Sequence, residues 1–93
     1  MTRQIRVRGR VQGVGFRYAL RAAARRRGVA GWVRNCTDGS VEALLQGSDD
    51  LVNRLMDWAR RGPPGCHVES LASAAPAEAP QDNLAGFEIR PNA

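Results

Sequence analysis

The sequence predicts an α+β fold, in which a mostly antiparallel sheet of four or five strands carries two helices on one face. Several short stretches alternate apolar and polar residues, which is the period of half-buried strands. Two longer stretches repeat apolar residues at the helical period of about 3.6. Glycine and proline clusters separate these stretches. A chain of 93 residues is expected to form one domain, residues 1–93.

The first half of the chain is predicted to contain three strands and one helix. Gly28 is expected to end the first helix, because glycine is common just after the last residue of a helix. The pair Asp38-Gly39 is typical of a tight turn between two strands. In order, we expect a strand over Ile5–Val11, a helix over Phe16–Arg27, a strand over Val29–Asn35 and a strand over Val41–Gln46.

The second half adds a helix and two strands. Ser48 is a good N-cap for a helix that Gly62-Pro63-Pro64-Gly65 stops. Strands are predicted over Cys66–Ala72 and Phe87–Arg90, and Ser73–Leu84 is predicted as a loop or a ragged strand extension. The first six of these elements have the order β-α-β-β-α-β, which is the ferredoxin-like pattern, and the short strand Phe87–Arg90 follows them.

This topology predicts where a functional site would lie. A helix joins the first two strands, so they run parallel, and the third strand can lie between them. The glycine loop that follows the first strand and Asn35 at the end of the second then share one edge of the sheet. Two strand spacings separate them, which is about 10 Å.

Composition and charge exclude some classes of function but do not identify one. The net charge is +5, and every basic residue is arginine, which fits either a coding bias or an attraction for anions. No apolar run could span a membrane, and the N-terminus lacks the apolar core of a secretory signal, so we expect a cytoplasmic chain. Cys36 and Cys66 are expected to be free thiols, and His67 a partly exposed strand residue.

The loop before the first helix is a candidate phosphoryl site. Gly13 and Gly15 let the backbone curl so that several N–H groups meet at one point, and the helix adds its positive end. Arg17 can bind two phosphate oxygens with its planar fork. By itself the loop is also compatible with a plain strand-to-helix turn, and Asn35 by itself with a residue that caps a turn.

Together, two segments resemble the signatures of the acylphosphatase family. Residues 9–17, GRVQGVGFR, look like the first signature, and residues 31–35, GWVRN, followed by DGSVE at 38–42, resemble the second. Residues 55–65 and 86–90 also look like the family, so the resemblance spans nearly the whole chain. It implies hydrolysis of the carboxyl-phosphate bond of acyl phosphates to a carboxylate and inorganic phosphate.

The resemblance also implies roles for particular residues. Arg17 would bind the phosphoryl group and Asn35 would orient the attacking water. The phosphate cradle would be the backbone of Val11, Gln12, Gly13, Val14, Gly15 and Phe16. A carboxylate is a good leaving group, which agrees with a loop that holds no acid or base, and the substrate's own phosphate oxygen is the plausible base. We expect no cofactor and no metal.

Three other functions stay open. An RNA-binding ferredoxin-like domain would stack bases on aromatic residues of the third strand, and Val41–Gln46 has none. A non-catalytic phosphate or acyl-phosphate binding module would not need both Arg17 and Asn35. A domain for carbamoyl-phosphate chemistry inside a larger enzyme would be part of a longer chain. We expect a monomer that binds a small acyl phosphate and neither nucleic acid nor membranes.

Overall fold

The computed structural model describes residues 1–76 and 84–93, and it confirms the α+β, ferredoxin-like fold. The elements are β1 (Thr2–Arg10), α1 (Phe16–Arg27), β2 (Ala30–Asn35), β3 (Val41–Gln46), α2 (Asp49–Arg61), β4 (His67–Ala74) and β5 (Phe87–Ile89). The predicted elements are thus all present in the predicted order. None of the described helices has the length and apolar character needed to cross a membrane.

The sheet has the strand order β4-β1-β3-β2-β5. Neighbouring strands are antiparallel except for β2 and β5, and β3 lies between β1 and β2 as predicted. Val7 of β1 is paired with Val41 of β3, and Val41 is paired with Asn35 of β2. Because β1 and β2 are both antiparallel to β3, they run in the same direction and end at the same edge of the sheet.

The core lies between one face of the sheet and the two helices. Alternate residues of the central strands, such as Ile5, Val7, Val33 and Ala43, are almost fully buried on this face. The helices contribute Phe16, Leu20, Ala23, Ala24, Val52, Leu55, Met56 and Ala59 to the same cluster. Burial of these apolar side chains therefore fixes the position of α1 over the sheet, and with it the position of the loop that precedes α1.

The two helices begin in different ways. Ser48 caps α2, because its hydroxyl oxygen accepts a hydrogen bond from the Leu51 N–H at 3.3 Å, and Asp49 and Asp50 occupy the first turn. The N-cap of α1 is Gly15, which makes no side-chain hydrogen bond, and the first turn of α1 holds no acidic residue.

Four strands have boundaries that differ from the prediction. The strand β2 begins at Ala30 rather than Val29. The strand β1 begins at Thr2 rather than Ile5, because Thr2 is paired with Gln46, and it ends at Arg10, which leaves Val11 in the loop. The strand β4 begins at His67 rather than Cys66 and continues to Ala74, which is paired with Gln4, so Ser73 and Ala74 form the strand extension that the sequence allowed within Ser73–Leu84. Residues 77–83 of that segment lie outside the described residues. The strand β5 ends at Ile89, one residue before the predicted end.

The sheet face opposite the helices carries charge pairs. Glu42 is only 6% exposed and accepts hydrogen bonds from Arg6 at 2.9 Å and from Arg34 at 2.7 and 2.9 Å. Trp32, on the same face, has the guanidinium groups of Arg34 and Arg90 about 5 Å from its ring centre. This aromatic residue comes from β2, and its exposed fraction is 8%, so it differs from the exposed stacking platform of the RNA-binding alternative.

Candidate active site

Three segments meet at the sheet edge where β1 and β2 end. They are residues 11–15, which connect β1 to α1, residue Asn35 at the end of β2, and the turn at residues 36–40 between β2 and β3. The sequence had predicted the first two at this edge, and the strand register places them there.

The loop at residues 11–15 exposes backbone donors. Gly13 and Gly15 have φ angles of 73° and 84°, a left-handed conformation that other residues adopt only with strain. Within the described part of the chain, the N–H groups of residues 12–18 donate no hydrogen bond, whereas the Ala19 N–H donates to the Gly15 carbonyl at 3.0 Å. A run of open N–H groups that continues into a helix N-terminus is an anion-binding arrangement.

A cavity of about 260 Å³ adjoins this loop. It is lined by Val11, Gly13, Gly15, Phe16, Arg17 and Tyr18. Phe16 is almost fully buried and lies against Trp58 of α2, with 6.3 Å between the ring centres. The floor of the cavity is therefore anchored in the core while its backbone donors stay open.

Arg17 brings a positive charge to the cavity that no described carboxylate neutralises. Among residues 1–76 and 84–93 it forms neither an ion pair nor a side-chain hydrogen bond, and its one described interaction is with the Tyr18 ring at 5.9 Å. By contrast, Arg6, Arg8 and Arg34 each pair with a carboxylate. An unpaired guanidinium beside open N–H groups suits a ligand with several negative oxygens.

Asn35 carries a buried acceptor without a donor. Its side chain points to the helix side of the sheet, because it is paired with Val41, which belongs to the core. The residue is 8% exposed, and its Oδ1 atom has no hydrogen-bond partner in the described structure. A buried amide oxygen without a donor is unfavourable by about 1–3 kcal/mol, so a ligand or water that donates to it would relieve that penalty.

The side chain of Gln12 joins the loop to the turn at residues 36–40. Its Nε2 atom donates to the carbonyl oxygens of Cys36 and Ser40, both at 2.8 Å. The sequence analysis considered only the backbone of Gln12 and missed this contact. Neither periodicity nor a turn signal could have indicated it, since the partners are carbonyl groups of a distant segment.

The turn itself is held by Asp38. The Ser40 hydroxyl and the Ser40 backbone N–H both donate hydrogen bonds to the Asp38 carboxylate, and Arg8 donates a third. These bonds lower the pKa of Asp38 from 3.8 to about 2, with the largest effect from the Ser40 hydroxyl and the smallest from Arg8. On the other side of the loop, the Cys66 thiol lies 3.8 Å from the Val14 carbonyl oxygen, and burial raises the pKa of that thiol. The described residues contain no group of three or more His, Cys, Asp or Glu side chains that could hold a metal ion.

Each residue predicted for the site can now be placed. Val11, Gly13, Gly15, Phe16 and Arg17 line the cavity. Gln12 and Val14 lie in the same loop, with the Gln12 side chain turned toward the β2–β3 turn and the Val14 carbonyl toward Cys66. Asn35 lies at the same edge, where it is paired with Val41, the first residue of β3.

Comparison with known proteins identifies relatives with this architecture. The acylphosphatase family profile matches residues 3–89. An acylphosphatase of Acidovorax sp. (strain JS42) is 50% identical over 90 residues, which cover 97% of this chain and 90% of the relative. An acylphosphatase of Gloeobacter violaceus is 54% identical over 83 residues, which cover 89% of this chain and 86% of the relative.

A solved structure gives the same result. The crystal structure of an acylphosphatase from Bacillus subtilis superposes with a TM-score of 0.87 at 34% identity, covering 96% of this chain and 97% of that one. The chain therefore belongs to the acylphosphatase family, and its activity is that of an acylphosphatase, a hydrolase of acid anhydrides.

Proposed function

We propose that hydrolysis takes place at the edge where β1 and β2 end, with the phosphoryl group held by the loop at residues 11–16 and by Arg17. The observation that carries the proposal is the set of unpaired groups at this edge. The N–H groups of residues 12–18 and the Arg17 guanidinium lack partners among the described residues, and so does Asn35 Oδ1. Donors and a cation on one side and a neutral acceptor on the other match a phosphoryl group and a water molecule.

The loop and Arg17 would stabilise charge on the phosphoryl oxygens. Backbone N–H groups and a bidentate guanidinium bind the three non-bridging oxygens, whose charge changes as the phosphoryl group is transferred. Because the left-handed glycines and the helix start hold the N–H groups in place before the reaction, little reorganisation is required in the transition state.

Asn35 would position the nucleophile. A water molecule that donates a hydrogen bond to Asn35 Oδ1 directs an oxygen lone pair toward phosphorus. A bond then forms between the water oxygen and phosphorus while the bond from phosphorus to the acyl oxygen breaks. The carboxylate leaves with the bonding electron pair, and the proton lost by water passes to an oxygen of the phosphoryl group. The Asn35 amide is a poor base and does not take this proton. The acceptor is the substrate's own phosphoryl oxygen, so the step requires no acidic or basic side chain in the loop.

Two substitutions test these roles separately. Arg17→Ala should lower kcat/KM for acetyl phosphate by at least about 10³-fold, because no cation then stabilises the negative charge of the phosphoryl oxygens in the transition state. Asn35→Ala should lower kcat by about 10²–10³-fold, because no hydrogen-bond acceptor then orients the attacking water. Inorganic phosphate, followed by calorimetry, should still bind Asn35→Ala but no longer bind Arg17→Ala.

The controls use exposed residues of the same types. Arg26→Ala at the far end of α1 and Asn53→Ala on α2 should keep normal kinetics. Normal turnover by Arg17→Ala or Asn35→Ala would contradict the proposed roles. We also propose that no metal takes part, so activity should persist in the presence of a chelator, and a loss that added metal restores would contradict this.

A further inference from the structure

The Gln12 side chain makes two hydrogen bonds that flank the strand pair containing Asn35. One accepting carbonyl belongs to Cys36, which follows Asn35, and the other to Ser40, which precedes Val41, the residue paired with Asn35. Both distances are 2.8 Å, so the primary amide uses both of its hydrogens on this one segment. The side chain therefore connects the first residue of the open N–H run to both strands at the point where Asn35 lies.

The turn does not need Gln12 to close. The Cys36 N–H donates to the Ser40 carbonyl at 2.8 Å, and the Gly39 N–H donates to the Cys36 carbonyl at 3.1 Å. Each carbonyl oxygen thus has one partner inside the turn and gives its second lone pair to Gln12. The hydrogen bonds within the turn are sufficient to form it. The Gln12 contacts therefore fix the distance between the loop and the turn, and they do not determine the shape of the turn.

That distance matters because β1 and β2 are not neighbours. The strand β3 separates them, so no backbone ladder joins the loop after β1 directly to the end of β2. The loop is anchored to the core by Phe16 and to β4 through Cys66, and both anchors lie away from the turn. Arg6 and Arg8 join the strand β1 to Ser40 and Asp38 of the turn, but among the described residues it is the Gln12 amide that joins the loop itself to the turn. Because this amide is neutral, it adds no charge to an anion site.

We propose that Gln12 is a positioning residue, which holds the phosphate loop at a fixed spacing from Asn35 so that the attacking water lies in line with the phosphoryl group. This inference rests on the proposed roles of the loop and Asn35. Loss of the two hydrogen bonds would let the loop and the turn drift apart. A displacement of about 1 Å between reacting groups lowers rates by about 10²-fold, so a small drift would reduce kcat strongly.

The test is a double-mutant cycle with Gln12→Met and Asn35→Ala, measured on acetyl phosphate. Methionine has nearly the same length as glutamine but no amide hydrogens. Gln12→Met alone should lower kcat by at least about tenfold, with KM and the dissociation constant of inorganic phosphate changed by no more than about threefold. In the Asn35→Ala background, where no water is guided, Gln12→Met should change kcat by less than about twofold.

The controls separate positioning from a general loss of structure. Gln46→Met makes the same change at the far end of β3, about 16 Å along the strand from Val41, and should leave kcat unchanged. Circular dichroism checks the fold of each variant. If Gln12→Met does not fold, Gln12→Leu repeats the cycle, because its side chain is also neutral and cannot donate to the two carbonyls.

The outcomes distinguish the two levels of the argument. A normal kcat in Gln12→Met, or an equal loss in both backgrounds, overturns the positioning role while leaving the roles of Arg17 and Asn35 intact. Normal turnover by Asn35→Ala alone overturns the proposed role of Asn35, and the positioning role with it.

Discussion

The two helices of this chain start in opposite ways, although they pack side by side on the same sheet. The helix α2 follows the rules for a stable N-terminus, with the Ser48 cap and Asp49 and Asp50 in the first turn. The helix α1 breaks them, with Gly15 in the cap position, no acidic residue, and Arg17 in the first turn. A cation at the positive end of a helix is unfavourable by about 0.3–1 kcal/mol.

This difference shows what α1 lacks and what a ligand would supply. The N-terminus of α2 has one N–H bonded to the Ser48 hydroxyl and two carboxylates in its first turn, and these carboxylates would repel an anion. The N-terminus of α1 has open N–H groups and an unpaired guanidinium among the described residues, and a phosphoryl group provides both the acceptors and the negative charge. Local rules of stability are broken here at the proposed site, as is expected where stability and ligand binding conflict.

Among substitutions that alter the difference between the two helix N-termini, Arg17→Lys is expected to have the largest effect on activity. Lysine keeps the charge but loses the planar fork, so only one phosphate oxygen can be bound well. We expect kcat/KM for acetyl phosphate to fall by about 10²-fold. The measurement is steady-state kinetics beside Arg26→Lys, an exposed residue at the other end of α1. Full activity of Arg17→Lys would mean that charge alone is sufficient.

The two ends of α1 offer a matched pair of glycines. Gly15 and Gly28 are both left-handed, with φ angles of 84° and 69°, and an added Cβ would meet no atom within 4 Å at either. Alanine should therefore lower the free energy of unfolding by about 1 kcal/mol at each position. Only Gly15→Ala should also lower kcat/KM, by at least about tenfold, because it turns N–H groups away from the site. Equal kinetics in both variants would contradict the cradle.

A smaller effect should follow from making α1 resemble α2. Tyr18 is 59% exposed in the first turn of α1, so Tyr18→Glu places a carboxylate where α2 has its own. Relative to the uncharged Tyr18→Gln, we expect unfolding to require about 0.3–1 kcal/mol more. Inorganic phosphate should bind about tenfold more weakly, because like charges repel. Denaturant unfolding and calorimetry measure the two quantities, and a gain in both would refute the trade-off.

The smallest effect on activity is expected from breaking the cap of α2. Ser48→Ala removes the acceptor of the Leu51 N–H and should lower the free energy of unfolding by about 1 kcal/mol. The values of kcat and KM should not change, since α2 begins at the opposite end of the sheet from the site. An altered kcat would show that the two helix starts are coupled.

The sequence alone was sufficient for the architecture and for the position of Asn35. Alternation, turn glycines and the handedness of crossovers determine which strands are neighbours, and neighbour order brings the end of β2 to the glycine loop. Strand ends were less predictable. The strand β1 extends back to Thr2 because β3 offers it a partner there, a pairing that no local pattern of the first residues reveals.

The side-chain contacts of the site were beyond sequence reasoning for a different reason. Whether Asn35 Oδ1 has a donor depends on every side chain around it, and Gln12 selects its partners from carbonyl groups that any sequence provides. Such contacts depend on three-dimensional proximity and not on residue type. The gap at the start of α1 is the exception, because the lack of a capping side chain before Phe16 can be read directly.

The charge cluster on the open face of the sheet has a consequence for how this sequence can change over generations. Glu42 is nearly buried between Arg6 and Arg34, so replacing Glu42 alone leaves two guanidinium groups without their carboxylate, whereas replacing one arginine leaves the carboxylate paired with the other. Both guanidinium groups are about a third exposed, so water screens part of the cost of losing the carboxylate, whereas an apolar exchange of the whole set is tolerated. In an alignment of homologues, a carboxylate at position 42 should therefore be accompanied by an arginine at position 6, at position 34 or at both, and the loss of both arginines should coincide with the loss of the carboxylate.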